Sequence, residues 1–163
     1  RSAAPGAWAQ LRVDVSGVGV QQIPIAFSVF KDETKAPQVV SAIVRADLER
    51  SGLFRGLVLT DVMDENIRPD LLSLRTRGAD VLATGSVSRL ADGRFDVRYR
   101  LWDAVKSSDL GGASYVVVAA DLRLAAHRIA DQIYERLTGE KGVFSTRLAY
   151  VTKRGSQIGR AHV

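Results

Sequence analysis

The chain has 163 residues, 46% hydrophobic and 25% charged, which suits one ordinary globular domain with room for a fragment of a second. It contains no cysteine, which excludes disulfides, thiol catalysis and cysteine-ligated metals while leaving the compartment open. The formal charge is +5, with bases scattered rather than clustered, and no apolar run approaches the roughly 20 residues of a membrane span.

Residues 1–9 carry an A-x-A pattern, Ala7 and Ala9 before Gln10, and read as a signal-peptide remnant or a cloning scar. "LRVDVSG" then alternates Leu11, Val13 and Val15 against Arg12, Asp14 and Ser16, the pattern of a half-buried strand. "IPIAFSVF" predicts a second, more buried strand, with Pro24 at its start or near an edge. The spacing of Val40, Ile43, Val44, Asp47 and Leu48, on or beside one stripe, predicts a helix over 37–51, with Pro37 in its first turn and Gly52 just beyond its end. "LFRGLVLTD" gives a short strand, and "RPDLLSLRTRG" a short helix between Pro69 and Gly78.

Two strands then flank Asp92-Gly93, a pair favoured in type I′ hairpin turns, where both central residues need positive φ. On the second strand Phe95, Val97, Tyr99 and Leu101 alternate with Arg94, Asp96, Arg98 and Arg100, giving a core face and a solvated face. "GGASYVVVAA" follows as a strand led in by a Gly111-Gly112 turn. The last helix spans about Leu122–Thr138, with Leu122, Ala126, Ile129, Ile133 and Leu137 as its buried stripe, Asp121 as N-cap and Gly139 as the left-handed stop. "FSTRLAYV" reads as one more strand. The order ββαβαβββαβ makes the fold class α/β: a mixed β-sheet with two main helices packed on it in two layers.

Little in this pattern carries chemistry. Gly139, Lys141 and Gly142 lack phosphate-loop spacing, and the elements run helix-to-strand rather than strand-to-helix. "SGVGVQQ" has Gln22 where a dinucleotide fingerprint needs its third glycine. His127 and Asp131, one helical turn apart, suit a weak pair on a partly exposed helix face, with too few ligands for a metal. Asp61, Asp64 and Glu65 read as a solvated turn. No catalytic residue, metal ligand or cofactor is assigned. Arg94, Arg98 and Arg100 leave a nucleic-acid-binding module as the alternative, although stacking aromatics are missing from their face.

Three stretches together resemble the TolB family, periplasmic proteins of the Tol–Pal system of Gram-negative envelopes. They are "IVRADLERSGLF", "DVLATGSVSRLADGRFDVRYRLWD" and "HRIADQIYERLTGEKGVFSTRLAYV", and the resemblance covers Gln10 to about Thr152. It implies an amino-terminal α/β domain over 10–146, similar in fold to the anticodon-binding domains of some tRNA synthetases; that likeness concerns fold and not RNA binding. Residues 139–147 would be the connector and 147–154 the start of a six-bladed β-propeller, with 155–163 a frayed or vector-derived tail. In the family the lipoprotein Pal docks on the propeller, and the C-terminal domain of TolA captures the mature amino-terminal segment. The latter maps onto Gln10–Gln22, and chiefly onto Gln10, Leu11, Arg12, Val13, Asp14, Val15, Ser16, Gly17 and Val18. Alternation suits that segment to join a partner's sheet edge, and Gly17 and Gly19 give it freedom to leave its own domain. The resemblance further implies a non-enzymatic adaptor in the periplasm, peripheral to membranes at most, without cofactor or nucleic acid. It favours a secretory remnant at residues 1–9.

Overall fold

The computed structural model describes residues 21–146. The strand expected at Leu11–Ser16, the partner-binding residues expected at Gln10–Val18 and the propeller strand expected at Leu148–Val151 lie outside the described residues.

Five strands form one sheet: β1 (Ile23–Val29), β2 (Phe54–Val62), β3 (Val81–Arg89), β4 (Phe95–Asp103) and β5 (Ser108–Val117), in the order β2-β1-β3-β4-β5. β1 pairs in parallel with both β2 and β3, while β3, β4 and β5 are antiparallel. Parallel neighbours need a crossover, and β1 reaches β2 through helix α1 (Val40–Arg50). The short helix α2 (Leu71–Thr76) lies on the way to β3, capped by Asp70, whose carboxylate accepts the Ser73 N–H at 3.1 Å. Helix α3 (Leu122–Thr138) follows β5 and ends at Gly139, φ 83°, as its sequence predicts.

Alternation along the strands sorts the core into two layers. Ile23, Ile25, Phe27, Val81, Ala83, Val97, Tyr99 and Leu101 meet Val44 and Leu48 of α1 and Ile129 and Ile133 of α3. On the other face Ala26, Leu82 and Trp102 are covered by Leu71 and Leu74 of α2. The mixed sheet with two main helices on one face is thus the expected architecture, and Pro24 sits at the start of an inner strand rather than at an edge.

Several local expectations are corrected. α1 begins at Val40, not Pro37, because a buried carboxylate upstream takes up its first amides: Glu33 accepts the Ser41 N–H at 2.9 Å and the Ser41 hydroxyl at 2.6 Å. The β3–β4 turn is not type I′. Only Gly93 has positive φ, 91°, and its N–H closes onto the Leu90 carbonyl at 3.0 Å while the Leu90 N–H bonds the Arg94 carbonyl at 2.7 Å. This is the three-residue hairpin loop with a glycine bulge. Gly111 and Gly112 lie within β5; the β4–β5 turn is 104–107, with Ser107 at φ 55°. Gly112 is there for contact, since a Cβ would sit 2.0 Å from the Tyr99 carbonyl oxygen. Asp121 precedes α3 but makes no side-chain cap, because it closes a 3₁₀ turn, Ala119–Asp121, and lacks the extended backbone that aims a capping carboxylate. Residues 144–146 are helical where a strand was expected.

Candidate interaction surfaces

The amino-terminal segment joins the described structure at the start of β1. There the Ile23 N–H donates to the Leu53 carbonyl at 2.9 Å and the Gln22 side-chain amide to the Gly52 carbonyl at 3.3 Å. The described residues therefore begin beside the loop that follows α1. Among the described residues β2 and β5 are the edge strands of the sheet. β2 carries an irregularity where the pairing steps from Phe27–Val58 to Val29–Val62, and Val58 and Val62 are exposed beside it. Such a kink shortens the continuous edge open to another chain.

Beside loop 51–53 lies a cleft of about 330 Å³ whose lining includes Arg50, Ser51, Tyr134, Lys141 and Phe144. The Tyr134 ring stands 5.8 Å from Phe144 at 85° and 6.2 Å from Phe54, joining the start of β2 to the returning chain.

His127 is not a partly exposed histidine. It is buried against α1, where its Nδ1 bonds the carboxylate of Asp47, itself buried; Asp47 also takes the Arg50 guanidinium. Asp131, its expected partner, serves the residues after Gly142 instead. Nor do Asp61, Asp64 and Glu65 form one solvated turn, since Asp61 lies within β2. Asp61 faces Arg77 at 4.0 Å, Asp64 accepts the Asn66 N–H at 2.8 Å, and Glu65 is buried.

The arginine face proves to be internally paired. Arg98 meets Asp96 at 2.9 Å, Arg100 meets Asp109 at 2.7 Å and the Glu65 carbonyl at 3.0 Å, and Arg94 meets Asp92 at 2.8 Å. The Arg94 backbone N–H, then its side chain, hold Asp92 below its ordinary carboxylate value. Charge over the whole described part is balanced: residues 21–146 contain seventeen Lys and Arg and seventeen Asp and Glu. The excess of five lies in residues 1–20 and 147–163.

Residues 11–110 match the family model of the TolB amino-terminal domain. The chain belongs to the TolB family. It is 62% identical over 152 residues to the Tol-Pal system protein TolB of Polaromonas naphthalenivorans, covering 93% of this chain and 35% of that protein. It is 50% identical over 153 residues to the protein of the same name from Dechloromonas aromatica, covering 93% and 36%. The crystal structure of TolB from Acinetobacter baumannii superposes with a TM-score of 0.61 at 30% identity, covering 77% of this chain and 30% of that one. The chain thus spans about a third of the length of the curated relatives it matches. As a TolB domain it has the α/β fold expected of the family, and the family match takes in Leu11–Val18. No helix among its described residues is long and apolar enough to cross a membrane.

Sequence reasoning missed Glu33, and it gave Asp47 only a place beside a helical stripe and Asp131 the wrong partner. Each acts on a partner eight or more positions away, Ser41, His127 and Phe144 respectively. Periodicity carries no signal for such pairs; the one hint was an acid placed on or beside an otherwise apolar helical stripe at Asp47.

Proposed function

We propose that this domain is a non-enzymatic periplasmic adaptor of the Tol–Pal system whose segment Gln10–Val18 docks on the C-terminal domain of TolA. In that role it links the inner-membrane TolA complex to Pal at the outer membrane, with Pal held by the propeller of the longer protein, and supports envelope integrity and constriction at division. The observation that carries the reading is the 62% identity to a Tol-Pal system protein over nearly the whole chain. The segment's alternation supports the docking mode: an extended strand adds to a partner's sheet edge through backbone hydrogen bonds, with alternate side chains fixing register. The residues that follow it also favour the role, since Gln22 and Ile23 bond the surface loop 51–53 at the start of β1.

Calorimetric titration of the 163-residue chain into the TolA C-terminal domain, beside a chain starting at Ile23, tests the proposal. Heat of binding lost with the truncation supports docking through Gln10–Val18. Equal binding by both chains moves the site elsewhere on the domain, and binding by neither overturns the proposal for this part of the protein.

A further inference from the structure

The chain leaves the domain through residues 139–146, and this stretch is tied to α3 rather than hanging from it. Asp131 of α3 turns its carboxylate onto the returning backbone: one oxygen accepts the Phe144 N–H at 2.7 Å, the other the Ser145 N–H at 3.2 Å and the Ser145 hydroxyl. These are the leading amides of helical residues 144–146, so Asp131 does from another helix what a local N-cap does. Gly142 makes the approach possible. A Cβ there would stand 2.7 Å from the Asp131 Cα and equally close to its Oδ1, so only glycine lets the strap lie flat on the helix. Phe144 completes the attachment with its ring edge-on to Tyr134.

We infer that Asp131 is an orienting latch, fixing the direction in which the chain leaves α3. A Gly/Ser-type linker at this point would let the following part wander. Two charge-assisted backbone bonds, one hydroxyl bond and one ring contact within five residues instead hold a single exit direction. In the longer TolB relatives, of which this chain covers about a third, that direction leads into the remainder of the protein. The inference rests on the connector's own geometry and is independent of TolA binding.

The absence of cysteine makes a direct test available. Spin labels placed through Ser114→Cys on β5 and Thr146→Cys at the end of the strap, both exposed, report one distance by pulsed electron resonance. A narrow distribution is expected, broadening on Asp131→Ala and less on Asp131→Asn, which keeps one acceptor oxygen. Hydrogen exchange separates a latch from a mere stabiliser. In Asp131→Ala the Phe144 and Ser145 amides should exchange about ten- to a hundredfold faster, the scale of a lost charged hydrogen bond, while the Ile129 amide keeps its rate. A distribution as narrow in Asp131→Ala as in the parent overturns the inference. Acceleration at Ile129 in step with Phe144 overturns it too, reducing Asp131 to general stability.

Discussion

Glu33 should contribute more to stability than any other single carboxylate in the domain. It is 1% exposed and serves three donors: the Ser41 N–H and hydroxyl on α1 and the Phe30 N–H at 3.1 Å, just past β1. α1 has no side-chain cap of its own at Val39, so this carboxylate is both its cap and the countercharge to its dipole. Replacing Glu33 with alanine leaves two backbone N–H groups and a hydroxyl without their acceptor in a dry place, each costing about 1–3 kcal/mol. The hydroxyl can turn to a carbonyl and water can enter the space left, so the expected total is about 3–5 kcal/mol. That is a large share of the roughly 5–15 kcal/mol available to a domain. Glu33→Gln keeps one acceptor but points an amide at a donor, and should lose about 2–3 kcal/mol. Urea unfolding followed by circular dichroism measures both variants, with the slope expected to stay unchanged. A loss below about 1 kcal/mol for alanine, or a glutamine variant as stable as the parent, would refute the account of Glu33 as the helix's remote cap.

Gly112→Ala should cost about 1–3 kcal/mol by forcing β5 away from the Tyr99 carbonyl. Gly93→Ala, at φ 91° with open space around it, should cost about 1–2 kcal/mol without moving a strand, and chemical shifts along β5 distinguish the two. Asp47→Ala should lose about 2–4 kcal/mol by stranding the buried His127 ring, whereas Arg50→Ala, whose side chain is 61% exposed, should lose less than about 1 kcal/mol in the same urea assay. Burial pushes the Tyr99 phenol above its ordinary value of 10.0. Its contribution is therefore complete below pH 10.0 and lost as the pH rises toward the raised folded value, so Tyr99→Phe should flatten the alkaline fall in stability.

Apolar period made the layers legible. α3 runs over Leu122–Thr138 as its stripe predicts, and the β3–β4 alternation separates Val97, Tyr99 and Leu101 from the arginines between them. Signals that act within a few residues also carried over, as at Gly139. What escaped depends on distance in sequence or on backbone angles that composition leaves undetermined. The start of α1 is set by Glu33 across a 3₁₀ turn, and Asp92-Gly93 suits both a two-residue and a three-residue hairpin loop, which differ in length and in the sign of φ at Asp92. His127 was read as exposed because its own helix gives it a polar neighbour at Asp131; the partner that buries it is 80 residues earlier on α1. The docking proposed for Gln10–Val18 rests on alternation and family resemblance, since a segment's surroundings are not encoded in its own period.

The pI near 9.9 invites a nucleic-acid reading, and the placement of charge decides where such binding would have to reside. A protein that neutralises Z phosphates loses affinity with a log–log salt slope of about −0.9Z on duplex DNA and about −0.7Z on single strands. The described domain has no net charge to spend, and Arg94, Arg98 and Arg100 already hold carboxylate partners at 2.7–2.9 Å. Free basic excess is concentrated at Arg147, Lys153, Arg154 and Arg160, a stretch without a single acid. Any binding of a single-stranded oligonucleotide should therefore show a slope no steeper than about −3 and vanish in a chain ending at Thr146. Fluorescence anisotropy over a salt series on both chains measures this. A shortened chain that still binds with a steep slope would mean that the paired arginines release their carboxylates for phosphate, and the basic strand face would then be a nucleic-acid surface after all.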